Sequence, residues 1–322
     1  MREDIEMLST SEDFAKLLQR AEEIQSKCKD HNVKAKDITM GNDLKLHFDD
    51  DESLPMSDLA IGHLCGKLKV PSRYFTRLVD NNQNELAADN INCWLGDNQK
   101  DLFLREYNGR IRGVLSGSYS VYDAPDILKT VAEVFDPDRF KLKGSFINEE
   151  RLHLRLIENE MMDVEGEDLF AGISLDSSDV GRSGLQVRFF VWKQVCTNGM
   201  MIAKSDARLF RQKHIGITHD EFAEGLNEGL NAFYDLKDKV AEQITATSEI
   251  PVKEDMEELL EDIKTKTNLS DESATKVIEC MITKYDRNQW GLINGITEVA
   301  QEFTLERRIE LEEIAGNMLK AM

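Results

Sequence analysis

Two residues that could do covalent chemistry stand close together in the chain. They are Cys196 in "VWKQVCTNGMMIAK" (191–204) and His214 in "RLFRQKHIG" (208–216). A cysteine nucleophile needs a lowered pKa and a base within hydrogen-bond reach. Strand phase places Leu185, Val187, Phe189, Val191 and Val195 on one face and leaves Cys196 on the other register, where an inert, buried thiol is the commoner outcome. No catalytic residue is therefore assigned and the chain is not read as an enzyme. A reading built on Cys196, His214, Asn294 and Glu298 stays open.

Metal and nucleotide chemistry find less support. The six histidines include one close pair, His214 and His219, and the five cysteines form no C-x-x-C. The acidic run Asp49-Asp50-Asp51-Glu52 lacks calcium-loop spacing. There is no phosphate-binding glycine loop of either common type. No metal and no cofactor is expected.

The basic residues offer more. Arg110 and Arg112 alternate on one strand, and Arg151, His153 and Arg155 on another. On a third, Gln186 and Arg188 share a face with Phe190 and Trp192. If these strands lie in one sheet, their apolar faces coincide and the opposite faces must coincide too. Cations interleaved with aromatics suit single-stranded nucleic acid, because cations follow phosphates and rings stack on bases. Arg208, Arg211, Lys213 and His214 would extend that stripe. A polar outer face on a half-buried sheet, or a helix lying over Phe190 and Trp192, would produce the same pattern. A second basic stretch, "HLCGKLKVPSRYFTRLV" (63–79), has helix-turn-helix outline and would offer Ser72, Arg73, Thr76 and Arg77. Its Lys69-Val70-Pro71 turn favours two packed helices with an exposed basic edge.

Charge works against a generic polyanion binder. The net charge is −21, and residues 215–322 alone carry 11 Lys+Arg against 24 Asp+Glu. Nucleic-acid binding must then rest on a local patch. No apolar run approaches a membrane span. The N-terminus shows no apolar leader, so the expected location is the cytosol.

Three regions must position these residues. Residues 1–97 read as mixed helical with a small hairpin. They comprise a helix over 9–27 with a capping box at Ser9 and Glu12, a hairpin with Leu44, Leu46 and Phe48 in alternation, an acidic loop over 49–53, and three further helices. Residues 98–218 read as β-rich, with a hairpin turning at Asn108-Gly109, a helix from Ala124, and strands over 151–158, 169–175 and 184–196. Residues 219–322 read as an acidic helical region. The fold class is α+β, an antiparallel sheet with packed helices followed by that helical region.

Three blocks carry a resemblance: "SDVGRSGLQVRFFVWKQVCTNGM" (178–200), "RLFRQKHIG" (208–216) and "QWGLINGITEVAQE" (289–302). With Cys196, Asn198, His214, Trp290, Asn294, Thr297 and Glu298 in context, the chain resembles the phage- and plasmid-borne family known as domain of unknown function 932. Gly295 stands where the family pattern suggests alanine. The resemblance implies a mobile-element protein in a bacterial host cytosol. In outline the order of hairpin, helix and further strands is also similar to phage single-strand-annealing recombinases of the Erf and RecT type. The expected function is single-stranded DNA binding of the annealing or recombination type, by a homo-oligomer. The alternative is an acidic phage protein that binds and inhibits a host protein, such as a defence nuclease, through its acidic C-terminal region.

Overall fold

The computed structural model describes residues 13–48, 52–164, 166–193, 198–201, 208–252 and 255–319. Among them are ten α-helices and three antiparallel sheets. Helix α1 (Phe14–Gln25) is capped by Asp13, whose carboxylate accepts from the Lys16 amide. The expected cap pair, Ser9 and Glu12, lies outside the described residues. Next come β1 (Cys28–Lys34), β2 (Thr39–Met40), β3 (Leu46–Phe48) and β4 (Glu52–Leu54). Leu44 is not in a strand. It sits in the preceding turn at φ 61°, so the expected alternation begins only at Leu46. Glu52 and Ser53, expected in a loop, pair with Phe48 and His47 instead.

Helices α2 (Asp58–Leu68), α3 (Ser72–Asp80) and α4 (Asn84–Gly96) follow as three separate helices. Lys69 ends α2 in the left-handed conformation (φ 58°) and Pro71 starts α3. The hairpin β5 (Asp101–Tyr107) and β6 (Arg110–Ser116) turns through Asn108 (φ 49°) and Gly109 (φ 78°), the two left-handed residues of a type I′ turn. β1 adds to its free edge, giving the sheet order β1-β5-β6. One face of that sheet, with Leu102, Leu104, Ile111 and Val114, closes a small core with α2, α3 and α4.

The larger core is built on a second sheet. After α5 (Ala124–Val134) come β7 (Phe140–Ile147), β8 (Leu152–Met161), β9 (Leu169–Ser177) and β10 (Leu185–Lys193), with β11 (Asn198–Met201) and β12 (Arg208–Gln212). The order is β11-β10-β9-β8-β7, and β12 pairs the Leu185 end of β10. Leu185, Val187, Phe189 and Val191 face one core, as their phase predicts. Helix α6 (His219–Ser248) crosses that face on Phe222, Leu226, Phe233, Val240 and Ile244. Gly225 and Gly229 let it approach β12, since a Cβ at Gly225 would stand 2.3 Å from the Phe210 ring.

Helices α7 (Met256–Thr267), α8 (Asp271–Lys284), α9 (Gln289–Val299) and α10 (Leu305–Met318) complete the chain. Residues of α6 to α10 share one hydrophobic core with β7 to β10. Helices α9 and α10 are separated by an extended Phe303 and by Thr304, which precedes the first turn of α10. Gly295 is where α9 meets α8: a Cβ there would stand 2.7 Å from the Val277 carbonyl oxygen, so alanine would push the helices apart.

Gly172, in the middle of β9, is equally constrained. A Cβ there would lie 2.3 Å from the Leu156 carbonyl oxygen and 2.5 Å from the Phe190 ring. Gly172→Ala should destabilise the fold by about 1–3 kcal/mol or more, as overpacking does. Chemical unfolding followed by circular dichroism checks this, and an unchanged midpoint would contradict the close approach.

Candidate functional site

The sheet face opposite α6 is the one expected to carry DNA. It does interleave cations with aromatics, since the Arg155 guanidinium lies 5.4 Å from the Phe190 ring centroid and the Lys143 ammonium 3.7 Å from that of Trp192. But this face is not open. Phe190 and Trp192 are buried with Ile157, Phe170, Leu305 and Ile309, the last two from α10. Helix α10 also brings carboxylates to the cations. Arg155 donates to both oxygens of Glu312 and is buried with it. Arg188 pairs with Glu313 and with Asp176, at 2.7 Å for the latter. Arg151 pairs with Asp176 at 3.0 Å and Glu306 at 3.5 Å. His153 Nδ1 is 2.9 Å from the same Asp176. Burial would raise the Asp176 pKa, yet His153, Arg188 and Arg151 hold it well below the usual carboxylate range. Arg151, Arg155, Arg188, Phe190 and Trp192 thus form an internal layer under a helix, not a binding surface.

The other expected contacts do not join them. Arg110 and Arg112 belong to the β1-β5-β6 sheet, because β1 and not the larger sheet takes the edge of their hairpin. Arg110 is exposed and Arg112 is buried. Arg208 sits opposite Arg188 in the β10–β12 register, and Arg211 and Lys213 are exposed. Cys196 lies outside the described residues.

His214 is buried at the junction of the two sheets. Its ring stacks on Tyr119 at 5.3 Å, and Nε2 shares a 3.1 Å hydrogen bond with the Ser177 hydroxyl. Beside it Arg105 donates to both Asp123 oxygens at 2.6 Å, to Asp30 at 2.9 and 3.2 Å, and to the Asp179 carbonyl at 2.9 Å. Asp179 is raised above the usual carboxylate range by burial and by the nearby Asp123. Asp30, Arg105 and Asp123 escaped sequence reading, because β1 and β5 show no signal that would pair them.

A groove opens at the other end of β10. Its volume is about 1030 Å³, and it is bounded by the β8–β9 connection, Lys193, and parts of α6, α8 and α9. Trp290 Nε1 donates to Glu167 at 2.7 Å, and Lys193 pairs with Glu167 at 2.5 Å. The Tyr285 hydroxyl donates to Glu298 at 2.7 Å, and Lys284 pairs with the same carboxylate. Three residues of the third resemblance block, Trp290, Gly291 and Glu298, therefore line this groove. Asn294 and Thr297 lie buried behind it. Sequence reading had these residues but not the groove, since Glu167 reaches it from the β8–β9 connection and Lys193 from the end of β10.

These features define an α+β protein whose central sheet is covered on both faces. The model of the family described as Domain of unknown function (DUF932) matches residues 112–321, more than half of the chain, and the chain belongs to that family. No curated protein and no solved structure matches. Among the described residues no helix is long and apolar enough to cross a membrane, and no group of three His, Cys, Asp or Glu could hold a metal ion.

Burial pushes His214 down to about 4; the Asp123 charge opposes this and Arg105 adds to it. The native state then keeps His214 neutral down to about pH 4, while the unfolded chain takes up a proton below about 6.5. Stability is retained above that window and lost as pH falls through it, by about 3 kcal/mol for this group. His214→Phe keeps a ring on Tyr119 and cannot titrate. Its urea midpoint should fall less than that of the parent between pH 7 and pH 5, and parallel falls would contradict the assignment.

Proposed function

We propose that the protein binds single-stranded DNA, and that the contact surface is α3 with the end of α2. One observation carries this reading. Among the described residues, Lys67, Lys69, Arg73 and Arg77 have no carboxylate partner, while the cations of the covered sheet face are paired. Lys69, Arg73, Tyr74 and Arg77 are exposed, and Phe75 is the only residue of α3 that is fully buried. Partial burial and the neighbouring Lys100 hold Lys67 below the usual lysine range. Unpaired cations around an exposed ring suit phosphate contacts with one stacked base.

In this reading the protein is a phage or mobile-element protein of the annealing or recombination type, acting as an oligomer in the bacterial cytosol. The alternative, inhibition of a host protein such as a defence nuclease, draws on a different fact. Internal pairing of the sheet cations leaves a strongly acidic exterior that could occupy a basic DNA-binding surface.

Fluorescence anisotropy with a labelled single-stranded oligonucleotide in about 50 mM salt separates the two, because electrostatic affinity is strongest there. The double variant Arg73→Ala/Arg77→Ala should weaken binding about tenfold and lower the salt slope by about 1.4, two contacts at about 0.7 each. Absence of binding, or a variant that binds like the parent, would sink the DNA reading.

A further inference from the structure

Strand β1 is an edge strand, and its second side pairs with nothing among the described residues. Its ladder to β5 runs without a bulge from Cys28 to Lys34. The Asn108 amide donates to the Lys27 carbonyl and the Ala35 amide to the Lys100 carbonyl, so the odd-numbered residues bond to β5. In an antiparallel ladder the residues between them turn the other way. Cys28, Asp30 and Asn32 therefore direct their amides and carbonyls away from β5. Those groups make no backbone hydrogen bond among the described residues, and Asp30 and Asn32 are exposed.

A groove follows this edge. Its volume is about 570 Å³, and it is lined by residues 32–34 of β1, by residues 37–39, and by His47 and Phe48 of β3. Successive strand residues point to opposite faces, so three in a row line one groove only along the strand's edge. A free edge beside a groove is the geometry that takes up an extended peptide as an added strand. The ladder supplies affinity and the groove wall sorts alternate side chains.

Charge selects the strand. Lys27, Lys29, Lys34 and Lys36 are exposed and have no carboxylate partner among the described residues. Asp30 is paired with Arg105, and Asp37 is the carboxylate in the groove lining. Asp49 to Asp51, which follow Phe48, lie outside the described residues. A second copy of β1 would set ammonium groups against ammonium groups, and like charges across a ladder are destabilising. A strand that alternates carboxylates with β-branched residues meets the opposite condition.

We propose that β1 is a docking edge for an extended acidic peptide of a partner protein, which adds to the β1-β5-β6 sheet as a fourth strand. The reading is separate from DNA binding by α3, which contributes no residue to this groove.

Fluorescence anisotropy of the full chain with the labelled, end-blocked peptide Glu-Val-Glu-Val-Glu-Val tests it. This peptide should bind saturably, and its counterpart with lysine for glutamate should not. The same peptide methylated at every backbone nitrogen keeps its charges and loses its ladder donors. It should bind at least tenfold more weakly, since each of several lost hydrogen bonds contributes. Asn32→Pro removes one outward amide, and proline is tolerated on an edge strand where its nitrogen faces solvent. The variant should weaken binding roughly three- to tenfold, with thermal unfolding in the absence of peptide as the check on its fold. If the peptide shows no saturable binding, if the lysine counterpart binds as well, or if methylation leaves binding unchanged, the inference is overturned. It is overturned too if Arg73→Ala/Arg77→Ala abolishes peptide binding while folded Asn32→Pro binds like the parent, because the peptide then sits on α3. The oligonucleotide assay reads α3 alone, so either reading can fail without the other.

Discussion

Glu312 is a fully buried carboxylate on a helix, and much of the larger core follows from that. An unpaired charge in such a place costs several kcal/mol, so Glu312 cannot be buried without Arg155, itself buried in the middle of β8. Arg308, one turn before Glu312, donates to the same carboxylate and completes its shell. The pair sets where α10 lies and how it is turned. With Glu312 on Arg155, Leu305 and Ile309 fall on Phe190 and Trp192, while Leu311 and Ala315 turn to the core under α6 to α9. Both faces of the sheet are thereby closed, which is why all nine residues of β9 are buried although it carries Ser174, Asp176 and Ser177. In a half-solvated sheet those polar residues would face water. Here Asp176 serves instead as the shared counter-ion of Arg151 and Arg188 and as the hydrogen-bond partner of the His153 ring.

The same logic joins the two sheets. Arg105 spends its donors on carboxylates from β1 and from the start of α5, and on the Asp179 carbonyl of the β9–β10 connection. Its neighbour Arg112 is less complete. It stands 3.9 Å from Asp179, and its three guanidinium nitrogens have no hydrogen-bond partner among the described residues. A buried guanidinium held only by a long ion pair is a weak point, and it lies where the smaller core meets the larger one. Stability should therefore differ between the two cores, with opening favoured at this seam.

Strand and helix phase made most elements readable. Leu185 to Val191 gave the core face of β10, Asn108-Gly109 gave the hairpin turn, and Pro71 gave the break between α2 and α3. What phase cannot supply is the partner of a polar face. Gln186, Arg188, Phe190 and Trp192 read the same whether water, DNA or a helix covers them. The missing clue was on α10, where Leu305, Ile309, Glu312 and Gly316 fall at helical spacing on one buried face. A carboxylate inside an apolar stripe calls for a buried cation elsewhere, and Arg155 and Arg188 were the candidates. Strand β1 was illegible for the opposite reason. "CKDHNVK" has one fully buried residue, Val33, and it is held by backbone pairing to β5. The groove was hidden because its groups come from three distant stretches, around Glu167, Lys193 and Tyr285 to Glu298.

Charge that is already paired inside a protein is not available to a ligand, so totals over the chain mislead in both directions. The Arg-rich strands looked like a DNA track and are paired internally, whereas the acidic total hides a helix whose cations have no carboxylate partner among the described residues. What a ligand meets is the charge within about one Debye length, ~8 Å at physiological ionic strength. On that scale the end of α2 and α3 present Lys69, Arg73 and Arg77 with Tyr74, and the groove beside α9 presents carboxylates with Tyr285 and Trp290. The two surfaces share no residue and pack on different cores. A net charge of −21 therefore says little about the charge that any one surface of the chain presents.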